Sequence, residues 1–315
     1  MMEIRNVTIV GAGTMGHSLA QVFAQEGYSV WLTDIREEVL AQARKLILSN
    51  LQTLVETGLL DRGQQDQALH RIVTTTKIED AAGNADFVIE AISEDEKAKK
   101  ELFGKLDKIC PPETILASNT SYLNIFQFVE TGRPDKVLIT HWFAPPHIVP
   151  LVEIVRGPET SQETVDLVRA LLIHVGKKPL VISKFLPGFI ANRLQSALNN
   201  EMLHLLDHGY ATPEDIDTAT KTSFGLRIPI LGLVKRMDYA GLDLTQKILS
   251  NALYEPPPRR TRSKTVDEHV SLGKLGVKTG GGYYDYAGRS TEEILKERDV
   301  KLIKLRELLK EMGEL

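Results

Sequence analysis

At 315 residues, with 42% hydrophobic and 25% charged residues, the chain is long enough for two domains and has an ordinary globular composition. A formal net charge of −4 without a basic stripe leaves no footprint for nucleic acid, and no stretch nears the roughly 20 apolar residues that span a bilayer. The single cysteine, Cys110, excludes an intramolecular disulfide and a cysteine-based metal cluster. Beside Pro111-Pro112 it is expected to close a helix as a small apolar residue. The N-terminus reads as a strand and lacks the charged-then-apolar layout of a leader, so a cytoplasmic protein without a metal site is expected.

The first expected element is the strand Val7-Thr8-Ile9-Val10, which runs into Gly11-Ala12-Gly13-Thr14-Met15-Gly16 and a helix through Ser18 to Ala24. In this strand, turn and helix, Gly11 allows the tight turn, Gly13 lets backbone approach a pyrophosphate, and Gly16 lets the helix pack closely. A pyrophosphate would sit on the helix N-terminus, where free N–H groups and the helix dipole favour an anion. Gly11, Gly13, Thr14, Met15 and Gly16 are therefore the cofactor-binding candidates, with a purely structural turn as the other reading. The second strand, Tyr28 to Thr33, ends at Asp34. A carboxylate there accepts hydrogen bonds from ribose hydroxyls and repels a 2′-phosphate, which argues for NAD over NADP, although Arg36 is placed to receive a phosphate. Asp34 can also cap the helix that follows, and the two roles are compatible.

From Glu37 to about Gly58 the apolar residues fall at helical spacing, and a Gln-rich polar segment comes next. Strands are expected at Ile72–Thr75, Ala85–Ala91, Thr114–Ser118 and Val137–Trp142, with a short helix at Ile78–Ala82 and a longer one at Glu96–Ile109. Alternating strands and helices imply a parallel, doubly wound α/β sheet whose ligands bind beyond the carboxyl ends of its strands. The connection from Trp142 to Leu151 is too short for a crossover helix, so Leu151–Val155 should run antiparallel to its predecessor. Val181-Ile182-Ser183 is the expected last strand. Pro187-Gly188-Phe189 then punctuates the chain, and from Ile190 to about Leu253 the periodicity is helical, with Pro213 at a helix start. The expected domains are residues 1–185, binding the cofactor, and an all-α domain over 186–315. Within the latter, Glu255 to Lys264 reads as a solvated loop and Glu292 to Leu315 as a charged amphipathic helix.

A second set of polar residues lies at the strand ends where a nicotinamide would arrive: Ser118-Asn119-Thr120-Ser121, then His141, then Glu153. Antiparallel pairing would bring His141 opposite Glu153. Oxidising an alcohol requires its hydroxyl proton to leave as hydride departs from carbon, and an imidazole whose tautomer is fixed by a carboxylate suits that task. A histidine beside a glutamate is equally a satisfied structural side chain, and the residues alone leave both readings open.

The motifs named above, together with His141-Trp142-Phe143, Pro150-Leu151-Val152-Glu153, Pro187-Gly188-Phe189-Ile190-Ala191-Asn192-Arg193 and Gly273 to Tyr284, occur in the order seen in the L-3-hydroxyacyl-CoA dehydrogenase family, which the chain resembles over nearly its whole length. The resemblance implies a Rossmann-type domain followed by a helical domain that forms a homodimer and completes the substrate cleft. It implies His141 as catalytic base, Glu153 as its partner, Ser121 and Asn192 as contacts to the substrate, and Glu94 and Lys99 as contacts to the cofactor. On the residues alone, Glu94-Asp95-Glu96-Lys97 is also a solvated helix start, and Asn192 could instead brace a helix interface.

The chain departs from the family pattern in three places. Ala144 stands where the family has Asn, three residues after the catalytic His. The stretch Ser49 to Gly58 lacks the lysines associated with CoA and carries Glu56. Gly232-Leu233 replaces a Gly-Pro ahead of Asp238. Pro145-Pro146 and Pro150 to Glu153 look instead like the branch acting on free hydroxy acids such as L-gulonate or carnitine. The leading expectation is NAD-dependent interconversion of a small-molecule 3-hydroxyacyl-CoA and its 3-oxo form. The same chemistry on a free 3-hydroxy acid is the near alternative, and a nucleotide-binding protein without catalysis, supported by Ala144 alone, is the distant one.

Overall fold

The computed structural model describes residues 4–251 and 253–315. The chain separates into two compact units, Met1–Arg193 and Leu194–Leu315.

The first unit is built on β1 (Asn6–Val10), α1 (Gly16–Gln25), β2 (Ser29–Thr33), α2 (Glu37–Glu56), α3 (Arg62–His70), β3 (Ile72–Thr75), α4 (Ile78–Ala82), β4 (Phe87–Glu90), α5 (Glu96–Ile109), β5 (Ile115–Ser118), β6 (Val137–Trp142), β7 (Leu151–Arg156), α6 (Gln162–His174) and β8 (Lys178–Ile182). Among the described residues its strands form one sheet in the order β3-β2-β1-β4-β5-β6-β7-β8. All residues of β4, β5 and β6 are buried, as expected of strands covered by helices on both faces. Pairing is parallel except between β6 and β7, where the connection through residues 143–150 permits only an antiparallel return. The order reverses direction between β1 and β4, and that switch opens a crevice beyond the strand ends.

The helices follow from their sequences. On α2 the buried residues Leu40, Ala43, Ile47, Leu51 and Leu54 recur at three and four positions and make one apolar face. The Gln-rich segment forms α3 because Asp61 and Gln64 complete a reciprocal capping box at its start. Ser161 caps α6 by accepting from the Thr164 N–H. The last strand begins earlier than expected, at Lys178. Cys110 closes α5 as expected, and burial pushes its thiol up to about 11, so no thiolate is available for chemistry.

The second unit is helical: α7 (Ala191–Asp207), which begins just before it, then α8 (Pro213–Thr222), α9 (Phe224–Leu231), α10 (Val234–Ala240), α11 (Leu242–Asn251), α12 (Lys264–Ser271) and α13 (Thr291–Glu311). Pro213 opens α8 behind a Thr212–Asp215 capping box, and Ser290 with Glu293 makes another at α13. The loop expected to be solvated is in part anchored: Arg260 donates to Asp207 at 2.8 Å and to His204 at 2.8 Å, and just before the loop Tyr254 donates to Glu201 at 2.6 Å. Among the described residues no helix is long and apolar enough to cross a membrane.

Candidate active site

The glycine turn separates structural from functional glycines. Gly11 has φ +100°, and a Cβ there would lie 2.6 Å from the Ala91 carbonyl oxygen. One on Gly16 would lie 1.7 Å from the Gly11 carbonyl oxygen. Packing alone demands both. A Cβ on Gly13 would meet nothing within 4 Å, and the residue is exposed, so no protein atom explains why it is bare. An open surface at the start of a ten-residue helix, with Thr14 and Met15 in the same turn, fits a pyrophosphate approached by backbone.

Asp34 stands at the end of β2 and reaches back to this turn. Its Oδ2 accepts from the Ala12 N–H at 3.0 Å and its Oδ1 from the Arg36 N–H at 3.1 Å. The expected capping role is not realised: Arg36 takes the N-cap position of α2, and no side chain closes it. Asp34 is thereby fixed beside the glycine turn, where a ribose would lie. Ile35, next to it, is 91% exposed, an apolar side chain missed by a reading that looked only for polar groups.

A buried ionic cluster occupies the ends of β4 and β5. Glu90, fully buried at the end of β4, accepts from Lys99 Nζ at 2.5 Å, the Ile92 N–H at 2.8 Å and Ser118 Oγ at 2.5 Å. Burial pushes its carboxyl up, against the pull of Lys99, Ser118 and Ile92. Lys99 is 1% exposed, so the solvated-helix reading fails for it, and its ammonium also lies 3.5 Å from Glu94. Glu94 Oε1 accepts from Thr120 Oγ at 2.6 Å, the Ser121 N–H at 2.7 Å and the Tyr122 N–H at 3.0 Å. Although burial alone would raise the Glu94 carboxyl, those hydrogen bonds and Lys99 hold it below the usual range. Glu94 thus fixes the loop that carries Ser121. Glu90 was missed, yet the sequence held a signal for it. Lys99 falls on the same helical face as Phe103 and Leu106, and a lysine on a buried face requires a buried acid.

His141 and Glu153 are directly paired across β6 and β7. His141 Nδ1 lies 2.8 Å from Glu153 Oε2, with the two residues 3% and 1% exposed. A carboxylate only accepts, so Nδ1 carries a proton and Nε2 is the nitrogen not taken up by Glu153. The other oxygen of Glu153 accepts from the Ile190 and Ala191 N–H groups at 2.9 and 3.0 Å, at the start of α7. Burial would raise the Glu153 carboxyl, but the His141 bond and those two amides outweigh it and hold it below the usual range. Asn192 Nδ2 stands 3.4 Å from His141 Nε2, so this amide faces the free nitrogen. Asn119 Oδ1 accepts from the Trp142 N–H at 2.9 Å and ties the Ser121 loop to the end of β6. The imidazole is flanked by Phe143, centroids 4.5 Å apart, and by Phe189 at 5.1 Å. Ala144 is exposed at the start of the connection to β7 and precedes a cis Pro145. Among the described residues no group of His, Cys, Asp and Glu could hold a metal ion.

A doubly wound sheet with an open glycine turn at its switch point, and a histidine–carboxylate pair at the neighbouring strand ends, defines a dinucleotide-binding α/β protein of the dehydrogenase kind. Family models confirm and narrow that class: the 3-hydroxyacyl-CoA dehydrogenase NAD binding domain matches residues 6–185 and the C-terminal domain of the same family matches 188–286. The chain belongs to the 3-hydroxyacyl-CoA dehydrogenase family, and its cofactor is NAD. Among its relatives is the 5-formyl-3-hydroxy-2-methylpyridine 4-carboxylate 5-dehydrogenase of Mesorhizobium japonicum, 32% identical over 97% of this chain and 98% of that protein. A crystal structure of a 5-formyl-3-hydroxy-2-methylpyridine 4-carboxylic acid 5-dehydrogenase, described as an NAD+ dependent dismutase, is 31% identical. It covers 98% of this chain and 99% of its own, with a TM-score of 0.87. The (S)-3-hydroxybutyryl-CoA dehydrogenase of Ralstonia eutropha, 35% identical, covers 90% of this chain and all of its own, with a TM-score of 0.71.

Proposed function

We propose that the chain oxidises the carbinol carbon of a small 3-hydroxy acid, or reduces the matching 3-oxo acid, with His141 as general base and acid. The observation that carries this reading is the buried 2.8 Å pair between His141 and Glu153, which leaves one ring nitrogen free to exchange a proton with the substrate. Bound NAD supplies the acceptor for the hydride. His141 Nε2 takes the hydroxyl proton as that hydride leaves carbon, and the anionic Glu153 stabilises the imidazolium that results. Ser121, held by Glu94, and Asn192, beside Nε2, contact the substrate oxygen. Asp34 selects the ribose with two hydroxyls, Ile35 offers an apolar face to the adenine, and Glu94 and Lys99 shape the nicotinamide end.

For the acyl carrier we place a free carboxylate ahead of a CoA thioester. A CoA tail presents phosphates that need cations, whereas the final part of α2, from Ser49 to Glu56, carries none, and Asn50 there is engaged with Gln21 at 3.0 Å. The relative acting on a free pyridine carboxylate, with its higher TM-score, supports the same choice. A panel of CoA thioesters and the matching free acids, followed by reduced-nicotinamide absorbance, tests it. Turnover confined to thioesters would restore the CoA reading.

The chain further acts as a homodimer in this reading. Among the described residues α7 to α12 contain no fully buried side chain, while Leu226, Val234, Tyr239, Ile248 and Leu249 are all more than 60% exposed. Apolar surface on that scale is characteristic of an interface, and a second copy is the partner always at hand.

A further inference from the structure

Aromatic residues make up only 6% of the chain, yet they gather around His141. Phe189 is wholly buried, stands 5.1 Å from the imidazole and is backed by Phe185 at 5.9 Å, edge to face. These two rings are spent on holding the histidine. Phe143, also against the imidazole, is only partly buried, and Tyr122, next in sequence to Ser121, is 54% exposed. Tyr122 is not a loose surface ring. Its backbone N–H donates to Glu94, and its ring lies along Gly188, where a Cβ would come 3.4 Å from Tyr122 Cε1. The adjoining residue in that turn is Phe189 itself. An anchored, exposed ring beside the Ser121 loop is a flat apolar surface that a ligand can cover. Ala144, one residue beyond Phe143, presents only an exposed methyl group.

We propose that the Tyr122 ring is a stacking platform for a planar ring, so that the carbon oxidised at His141 is borne on an aromatic or heteroaromatic acid. The inference rests on the free-acid reading and narrows it. Its reaction is balanced by groups already named: the ring-borne carbinol carbon loses a hydride to NAD and its hydroxyl proton to His141, giving a ring-borne carbonyl, NADH and a protonated imidazole. A flexible acyclic acid meets such a platform along an edge only and gains little from it, whereas a ring covers it face to face.

The test compares 3-hydroxy-3-phenylpropanoate, whose carbinol carbon is borne on a ring, with 3-hydroxybutyrate, using the full chain with NAD and the variants Tyr122→Ala and Tyr122→Phe. The ring substrate should be preferred. Tyr122→Ala should raise its KM by roughly three- to tenfold while leaving 3-hydroxybutyrate within about twofold, and Tyr122→Phe should restore the wild-type value. Turnover of both acids with no selective effect of Tyr122→Ala overturns the platform and leaves the free-acid reading standing. Reduction of acetoacetyl-CoA with no oxidation of either acid overturns the free-acid reading itself. Calorimetric titration of nicotinate into the NADH-loaded chain gives a measure free of turnover: weaker binding to Tyr122→Ala than to Tyr122→Phe supports the platform, and equal binding overturns it.

Discussion

One ring nitrogen of His141 is committed to Glu153 and the other meets the Asn192 amide at 3.4 Å, which makes the residue asymmetric in a way no neighbour can copy. His141→Gln keeps an amide in place but cannot carry the proton. Turnover should drop by about 10²–10⁴-fold with NAD affinity nearly unchanged, as measured by steady-state kinetics beside cofactor titration. Activity within a few-fold of wild type would remove His141 from its role. Asp34→Ser should narrow the preference for NAD over NADP, mainly through the cofactor KM, because it removes both the ribose acceptor and the charge that repels a 2′-phosphate. The positions of the glycine turn, Asp34, His141 and Glu153 were legible, because strand ends and the antiparallel return of β7 dictate where those side chains meet. Glu90 was hidden because its significance comes from the ammonium that meets it, on a helix nine residues further on.

Elements add constraints that single residues do not show. The turn before α7 places Gly188 at φ +76° and Phe189 at φ +50°, a left-handed pair that only glycine adopts without strain. The Phe189 ring is nevertheless retained there, packed against His141. Phe189→Ala and Phe189→Gly both delete that ring and should both lower turnover, but the glycine variant should be the more stable by about 1 kcal/mol because it relieves the backbone. Denaturant unfolding of the two variants decides it, and equal stabilities would deny the strain. A comparable knot lies in the second unit. Asp207 accepts from Arg260 at 2.8 Å, from Ser263 Oγ at 2.8 Å and from the Thr265 N–H at 3.0 Å, and the Thr265 amide with the neighbouring hydroxyls holds its carboxyl at about 2. A depressed carboxylate stabilises the fold above its unfolded value near 4, and that stability is lost as pH falls toward about 2. Asp207→Asn should flatten this acid-side slope in thermal melts.

On the scale of the whole molecule, periodicity and strand spacing made the doubly wound sheet readable, including the antiparallel turn of β7, because strands buried on both faces leave a strong apolar signature. The helical unit was read as helical from Ile190 to about Leu253 with a helix start at Pro213, which α8 keeps, but the breaks between α8, α9, α10 and α11 were not read, since helix periodicity does not record where a chain reverses. The exposed apolar surface of those helices predicts a dimer by light scattering at micromolar concentration, and paired charge substitutions such as Val234→Glu with Leu249→Glu should yield monomers. A wild-type monomer would defeat that expectation.

The antiparallel step between β6 and β7 has an evolutionary consequence. His141 and Glu153 stand on adjacent strands in fixed register, and residues 143–150 between those strands take no part in the ladder that pairs them. Phe143 and Ala144 lie in this segment, so the surroundings of His141 can be rewritten by changes to one short connection while the His141–Glu153 pairing is kept. Selection can therefore explore new substrates without crossing a stretch of inactive intermediates. Ala144→Asn is a single step along that path: it should raise turnover of acetoacetyl-CoA if a polarising amide is all that the thioester chemistry lacks, and lower turnover of the native acid if the space beside Ala144 is in use. Michaelis parameters of both proteins on acetoacetyl-CoA and on a free 3-oxo acid would show how far the two specificities lie apart, and no change on either substrate would mean that position 144 does not face the reaction.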